Sequence, residues 1–155
     1  MSQLDQYEMG IGTWAWGDKG VWGFGQGYDG SDLRETFLAA VSAGNYFFDT
    51  AEIYGDGLSE TYLGRFMKER PDVTFYTATK FMPFPWKVST SYLLKSLKAS
   101  LKRLDLKQVE LYQIHFGKRS SKDRIIFRID ESLQELHVLT VRHGAREPFQ
   151  PTDLD

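Results

Sequence analysis

At 155 residues, with 41% hydrophobic and 15% aromatic side chains, the chain has the size and apolar content of one ordinary soluble globular domain. Nineteen basic against 21 acidic residues leave a formal charge of -2, which gives no long-range attraction for nucleic acid or an anionic membrane. With no cysteine, a disulfide framework and a thiolate metal site are both excluded.

No apolar run approaches the roughly 20 residues of a membrane span. The polar start Met1-Ser2-Gln3-Leu4-Asp5-Gln6 lacks a signal-peptide core. A soluble chain without a targeting segment is expected.

In chain order, Met9 to Trp14 alternates small and apolar residues as a short strand would, and leads into a long loop rich in glycine and tryptophan that runs to Gly30. Asp29 or Ser31 can cap a first helix, in which Leu33, Phe37, Ala40 and Val41 recur at helical spacing before Gly44 ends it. Tyr46 to Asp49 reads as strand two. After the turn Tyr54-Gly55-Asp56-Gly57, a second helix carries Tyr62, Leu63, Phe66 and Met67 until Arg70-Pro71 breaks it.

Val73 to Lys80 is rich in β-branched and aromatic residues and reads as strand three, with Pro83 and Pro85 forcing the next loop out of regular structure. Ser89, Thr90 or Ser91 can cap a third helix with Leu94, Leu97, Leu101 and Leu104 inward. Its row of Lys95, Lys98 and Lys102 is a solvated face. Val109 to His115 is strand four. Repeated strand-helix units predict parallel strands joined by right-handed crossovers. Beyond Gly117, the spacing of Ile129, Leu133 and Leu136 predicts a helix over 125–139, followed by a frayed tail from Pro148.

In parallel α/β folds the carboxyl ends of the strands are where ligands bind. Asp49 ends strand two, Tyr54 follows it, Lys80 ends strand three and His115 ends strand four. Each alone is an ordinary turn former, cap or polar group; together they define a chemistry. A neighbouring ammonium favours the ionised form of a phenol and so makes it a better proton donor. Asp49 would orient Lys80, while His115 could hydrogen-bond the oxygen of a carbonyl undergoing reduction. No side chain donates hydride, so a nicotinamide or flavin cofactor is required.

Two other motifs imitate known sites. Gly23-Phe24-Gly25-Gln26-Gly27, with Asp49 downstream, has the rough spacing of a Rossmann fingerprint, but its loop is too long to sit between a strand and a helix. Val141 to Pro148 resembles the signature of histidine acid phosphatases, yet too little chain follows it to build a phosphate pocket.

The chain is similar to the aldo/keto reductases. The similarity runs through Gly10-Ile11-Gly12-Thr13-Trp14, Phe48-Asp49-Thr50-Ala51-Glu52-Ile53-Tyr54-Gly55, Leu58-Ser59-Glu60, Leu63-Gly64, Thr77-Ala78-Thr79-Lys80, Asp105-Leu106 and Leu111-Tyr112-Gln113-Ile114-His115. It implies a parallel (β/α)8 TIM-barrel fold, NADP(H) as cofactor and a small aldehyde or ketone as substrate. By the same resemblance, Asp49, Tyr54, Lys80 and His115 match the catalytic tetrad, and Gly12, Thr13, Trp14 and Asp49 fall at cofactor-binding positions. Within the family the chain looks most like plant plastid-type members, which suggests the plastid stroma or the cytoplasm.

A (β/α)8 barrel typically needs about 250 residues, so the expectation is a barrel shortened to its first four βα units. Residues 1–117 then form its N-terminal half and 118–155 a divergent, partly helical segment. Activity is in doubt where the cofactor-binding half is missing. Open sheet edges would permit self-association. The alternative is a non-enzymatic interaction or regulatory module, as in relatives resembling potassium-channel β subunits.

Overall fold

The computed structural model describes residues 9–84 and 90–115, and the backbone course of 123–130 and 135–143. Its elements in order are β1 (Ile11–Gly12), α1 (Gly30–Ser42), β2 (Phe47–Asp49), α2 (Leu58–Met67), β3 (Tyr76–Phe81), α3 (Thr90–Leu104), β4 (Leu111–Ile114), β5 (Asp123–Asp130) and β6 (Glu135–His143). A 3-10 turn, Tyr54–Gly57, joins β2 to α2.

Local chemistry accounts for the element ends. Asp29 caps α1 through a capping box: its side chain accepts from Ser31 N–H, and Asp32 accepts from the Asp29 N–H at 2.7 Å. Leu33, Phe37 and Val41, four residues apart, are the buried face of that helix. Gly44 closes it at φ +84°, in the left-handed region that glycine enters without strain. At α2, the absent side chain of Gly64 lets the helix lie directly on the Leu104 carbonyl at the end of α3.

The first four strands form one parallel sheet in the order β1-β2-β3-β4. Its two faces differ. Phe48, Thr77, Thr79, Phe81 and Tyr112 point under the helices and are buried. There Phe37 and Phe48 stack with centroids 5.2 Å apart, and Trp16 and Phe66 close the cluster. Burying each of these phenylalanines stabilises the fold by about 1.5–3 kcal/mol. A second cluster of Phe81, Leu97 and Tyr112 seats α3 on β3 and β4. Lys95, Lys98 and Lys102 are exposed, as their spacing predicts.

Side chains alternate across a strand, so the register decides what shares the other face. Gly12 pairs with Asp49, Asp49 with Ala78, and Lys80 with Gln113. Gly12, Asp49 and Lys80 therefore lie on one face, and His115, two residues past Gln113, continues it.

The structure corrects the reading of the C-terminal part. The expected helix over 125–139 is a β-hairpin: β5 and β6 pair antiparallel as a separate sheet, with a register shift between Ile126 and Phe127. Ile125, Ile126 and Ile129 on β5, and Val138, Thr140 and Val141 on β6, are β-branched, and that preference outweighs the helical spacing. Leu133 lies outside the described residues, as does the tail from Pro148. Elsewhere β1 and β4 are shorter than expected at both ends, β2 and β3 start later than expected, and β3 runs one residue past Lys80.

Candidate active site

Three strand ends and one turn build the site. Asp49 is the last residue of β2, Lys80 the penultimate residue of β3, and His115 directly follows β4. Tyr54 enters from the turn after β2, where Asp56 and Gly57 take left-handed conformations that fold the chain back into α2. All four side chains meet at the carboxyl rim of the sheet.

Lys80 is at the centre. Its Nζ donates to the Thr50 carbonyl at 2.8 Å and lies 2.8 Å from Asp49 Oδ1. That carboxylate contact is an ion pair set off the line of a hydrogen bond, since Oδ1 makes no aligned bond among the described residues. Nζ also approaches the Tyr54 hydroxyl at 3.4 Å and stands 4.9 Å from the centre of its ring. The Lys80 side chain is only 11% exposed, so these contacts act with little screening by water.

His115 meets the Tyr54 ring edge-on, with centroids 5.4 Å apart and planes at 89°. Its main-chain N–H donates to Phe81 O at 2.7 Å, which fixes where the imidazole begins. Burial, and then the Lys80 ammonium, push its pKa below the ordinary 6.5, while Asp49 and Glu52 pull the other way. The imidazole is neutral at neutral pH. Its Nδ1 is buried and has no hydrogen-bond partner among the described residues.

Of the three residues singled out at the end of β1, Thr13 is wholly buried. Its hydroxyl donates to Asp49 O at 3.2 Å and sits 2.7 Å from Ser59 Oγ, which in turn lies 2.9 Å from Thr50 Oγ1. With Thr13 donating to the Asp49 carbonyl, Ser59 Oγ has both the Thr13 hydroxyl (2.7 Å) and the Thr13 carbonyl (2.9 Å) as acceptors. Gly12 is exposed, and a Cβ there would meet nothing within 4 Å. Trp14, half exposed, lies nearly parallel to Tyr54 at 6.3 Å and edge-on to Trp22 at 5.6 Å, which makes an apolar wall beside the phenol.

A second tyrosine, Tyr112, is buried on the helix-facing side of β4. Burial, together with the Glu52 and Glu60 carboxylates, raises its pKa and keeps it protonated. Beneath the rim, wholly buried Glu60 accepts from Thr79 Oγ1 at 2.5 Å and from Arg103 Nε at 2.6 Å, tying α2, β3 and α3 together. In the sequence nothing singles out Arg103, and only the Leu58-Ser59-Glu60 motif points to Ser59 and Glu60. The glycine-rich loop around Gly23–Gly27 is separated from β1 and forms no tight strand-to-helix turn, in keeping with its dismissal as a nucleotide fingerprint. Val141 to His143 lie in β6, and the remainder of the phosphatase-like motif lies outside the described residues.

A parallel sheet with helices packed on one face and polar groups gathered at its carboxyl rim defines the class: a (β/α) barrel-type α/β protein. Residues 8–142 match the sequence pattern of the aldo/keto reductase family, and the chain belongs to that family. It is 36% identical over 129 residues to chloroplastic pyridoxal reductase of Arabidopsis thaliana, covering 77% of this chain and 35% of that protein. Among solved structures, it superposes on an aldo-keto reductase from Bacillus halodurans with a TM-score of 0.56 and 28% identity, covering 72% of this chain and 36% of the other. A Klebsiella pneumoniae aldo-keto reductase in complex with NADPH gives a TM-score of 0.51 and 25% identity, over 71% and 35% of the two chains. The chain thus spans about a third of the length of these relatives. No described helix is long and apolar enough to cross a membrane.

Proposed function

We propose that the chain carries the catalytic face of an NADPH-dependent reductase that converts small aldehydes or ketones to alcohols. The observation that carries this reading is the convergence of Tyr54, Lys80, Asp49 and His115 at one rim.

The rim fits a nicotinamide cofactor. His115 Nδ1 is a buried polar atom without a partner among the described residues, Gly12 leaves open space beside Asp49, and Trp14 offers a flat face. Gly12, Trp14 and Asp49 are the groups that would hold the nicotinamide end, with Thr13 supporting them through the Asp49 carbonyl. When bound, a reduced nicotinamide supplies the hydride.

The protein's own residues govern the proton and the carbonyl. His115 offers a hydrogen bond to the carbonyl oxygen and holds it toward Tyr54. Tyr54 gives its proton to that oxygen as negative charge develops there. The Lys80 ammonium stabilises the phenolate left behind, and Asp49 holds Lys80 charged and in place. The wall of Trp14 and Trp22 excludes water on one side and favours substrates with a flat or apolar flank.

We assign residues 1–117 to this reductase half and 118–155 to a segment that includes the β5–β6 hairpin and the last part of the family match. The edges of β1 and β4 have no strand partner among the described residues, and they offer a route to self-association. Similarity to a chloroplastic relative supports the plastid stroma as the place of action over the cytoplasm.

The test is NADPH oxidation with a panel of small aldehydes and ketones, comparing the chain with Tyr54→Phe. Turnover is expected to fall by about 10²–10⁴-fold on loss of the general acid. Undiminished turnover in Tyr54→Phe would remove the assigned proton donor.

A further inference from the structure

Pairing between β2 and β3 continues after β2 ends. Thr50 N–H donates to Ala78 O at 2.9 Å and Glu52 N–H to Lys80 O at 3.2 Å, extending the register set by Asp49 and Ala78. The chain then turns away toward Tyr54. On that side of the sheet the next donor is the Met82 N–H, and the receding chain offers it no carbonyl. Its acceptor is instead the Glu52 side chain, with Oε1 at 2.8 Å. A half-buried main-chain donor without a partner loses a hydrogen bond, and here the carboxylate supplies it in place of a strand.

The opposite flank is held independently, by His115 N–H donating to Phe81 O at 2.7 Å. Residues 80, 81 and 82 are therefore each tied to a neighbouring segment, and Glu52 makes two of the three ties. The same segment carries the Lys80 side chain back over Thr50 and Asp49. Any slackening of the clamp changes how far Nζ reaches toward Tyr54.

We propose that Glu52 is a positioning residue: its carboxylate stands in for a strand, holding the Lys80–Met82 segment at the depth where the lysine ammonium meets the Tyr54 hydroxyl. The catalytic consequence rests on the reductase reading above; the clamp itself rests on geometry alone. A carboxylate suits the task because a hydrogen bond to an ionised acceptor is shorter and stronger than one to a neutral carbonyl.

Native-state amide exchange by NMR separates the two. In Glu52→Ala the Met82 amide is expected to exchange at least about tenfold faster. The Tyr76 amide, bonded to Tyr46 O in the same strand, should be unchanged and serves as the control for folding. Glu52→Gln keeps an acceptor oxygen at the same reach and should retain most of the protection. Equal Met82 protection in the unsubstituted chain and Glu52→Ala overturns the clamp. In NADPH-linked reduction, kcat should fall about 100-fold in Glu52→Ala with KM for the carbonyl little changed, as expected for misplacement of a reacting group, and Glu52→Gln should restore most of it. Unaltered kcat alongside faster Met82 exchange overturns the positioning role. Absence of turnover in the unsubstituted chain counts against the reductase reading alone, and the exchange result then decides the clamp.

Discussion

The Lys80 ammonium lies 3.4 Å from the Tyr54 oxygen and 4.9 Å from the centre of the same ring, so one cation faces both the hydroxyl and the π surface of one phenol. An ammonium has three hydrogens and no lone pair. Its oxygen neighbours among the described residues are Thr50 O, Asp49 Oδ1 and Tyr54 Oη. Tyr54 is thus the acceptor in this pair, and its own hydrogen is left to point toward a ligand.

Replacing Lys80 by methionine keeps a long, unbranched side chain, one atom shorter, and removes the charge. Turnover is expected to drop by about 10²–10⁴-fold, the usual range for loss of acid–base assistance. Lys80→Arg should not restore it, because a longer side chain with a planar guanidinium cannot put a compact charge where Nζ meets Thr50 O, Asp49 and Tyr54. Steady-state NADPH oxidation checks both, with NADPH quenching of tryptophan fluorescence as the binding control.

The depressed pKa of His115 carries a signed consequence for stability. Its folded value lies below the unfolded value of 6.5. Between those two values the unfolded chain binds more protons, so stability rises with pH across that window. As pH falls below about 6.5, this group progressively weakens the fold until the folded imidazole also protonates. Urea midpoints measured from pH 7.5 down to 5 should show the slope, and His115→Gln should flatten it. Glu52→Gln, by removing a negative charge that favours the imidazolium, should steepen it.

Arg103→Ala is expected to destabilise the chain by about 3 kcal/mol or more, since it leaves the wholly buried Glu60 carboxylate with Thr79 as its remaining side-chain partner. The double variant Glu60→Gln with Arg103→Met should recover much of that loss, because the unpaired charge is gone. Chemical denaturation of the two variants against the unsubstituted chain decides it.

Gly64→Ala should also destabilise, by about 1–3 kcal/mol. The added Cβ would run into the Leu104 carbonyl, which is main chain and cannot swing aside. Separation of α2 from α3 would then loosen the Glu60–Arg103 bridge as well. A thermal melt followed by circular dichroism is a sufficient test.

Much of this arrangement is legible in the linear chain, for a physical reason. Strand, helix and turn signals are local, and the reacting groups sit where those signals change, at Asp49, Lys80 and His115. Capping at Asp29 and closure at Gly44 follow from the same local chemistry. What escapes is what depends on partners far along the chain. Nothing near Glu60 announces Arg103, 43 residues away. Nothing in the spacing says that Trp16 is core while Trp14 faces solvent. Glu52 reads as one more charge until the course of Met82 is known. The C-terminal hairpin failed differently: Ile129 and Leu136 fit a helical stripe, but β-branched side chains in both arms favour extended chain.

β2, β3 and β4 each deliver one member of the reacting set, and these strands lie side by side in their order along the chain. Completion of the rim therefore needs all three strands in register: the carboxylate comes from β2, the ammonium from β3 and the imidazole from the end of β4. A lesion that displaces β4 alone would leave the lysine–tyrosine couple in place with nothing to steer a substrate onto it.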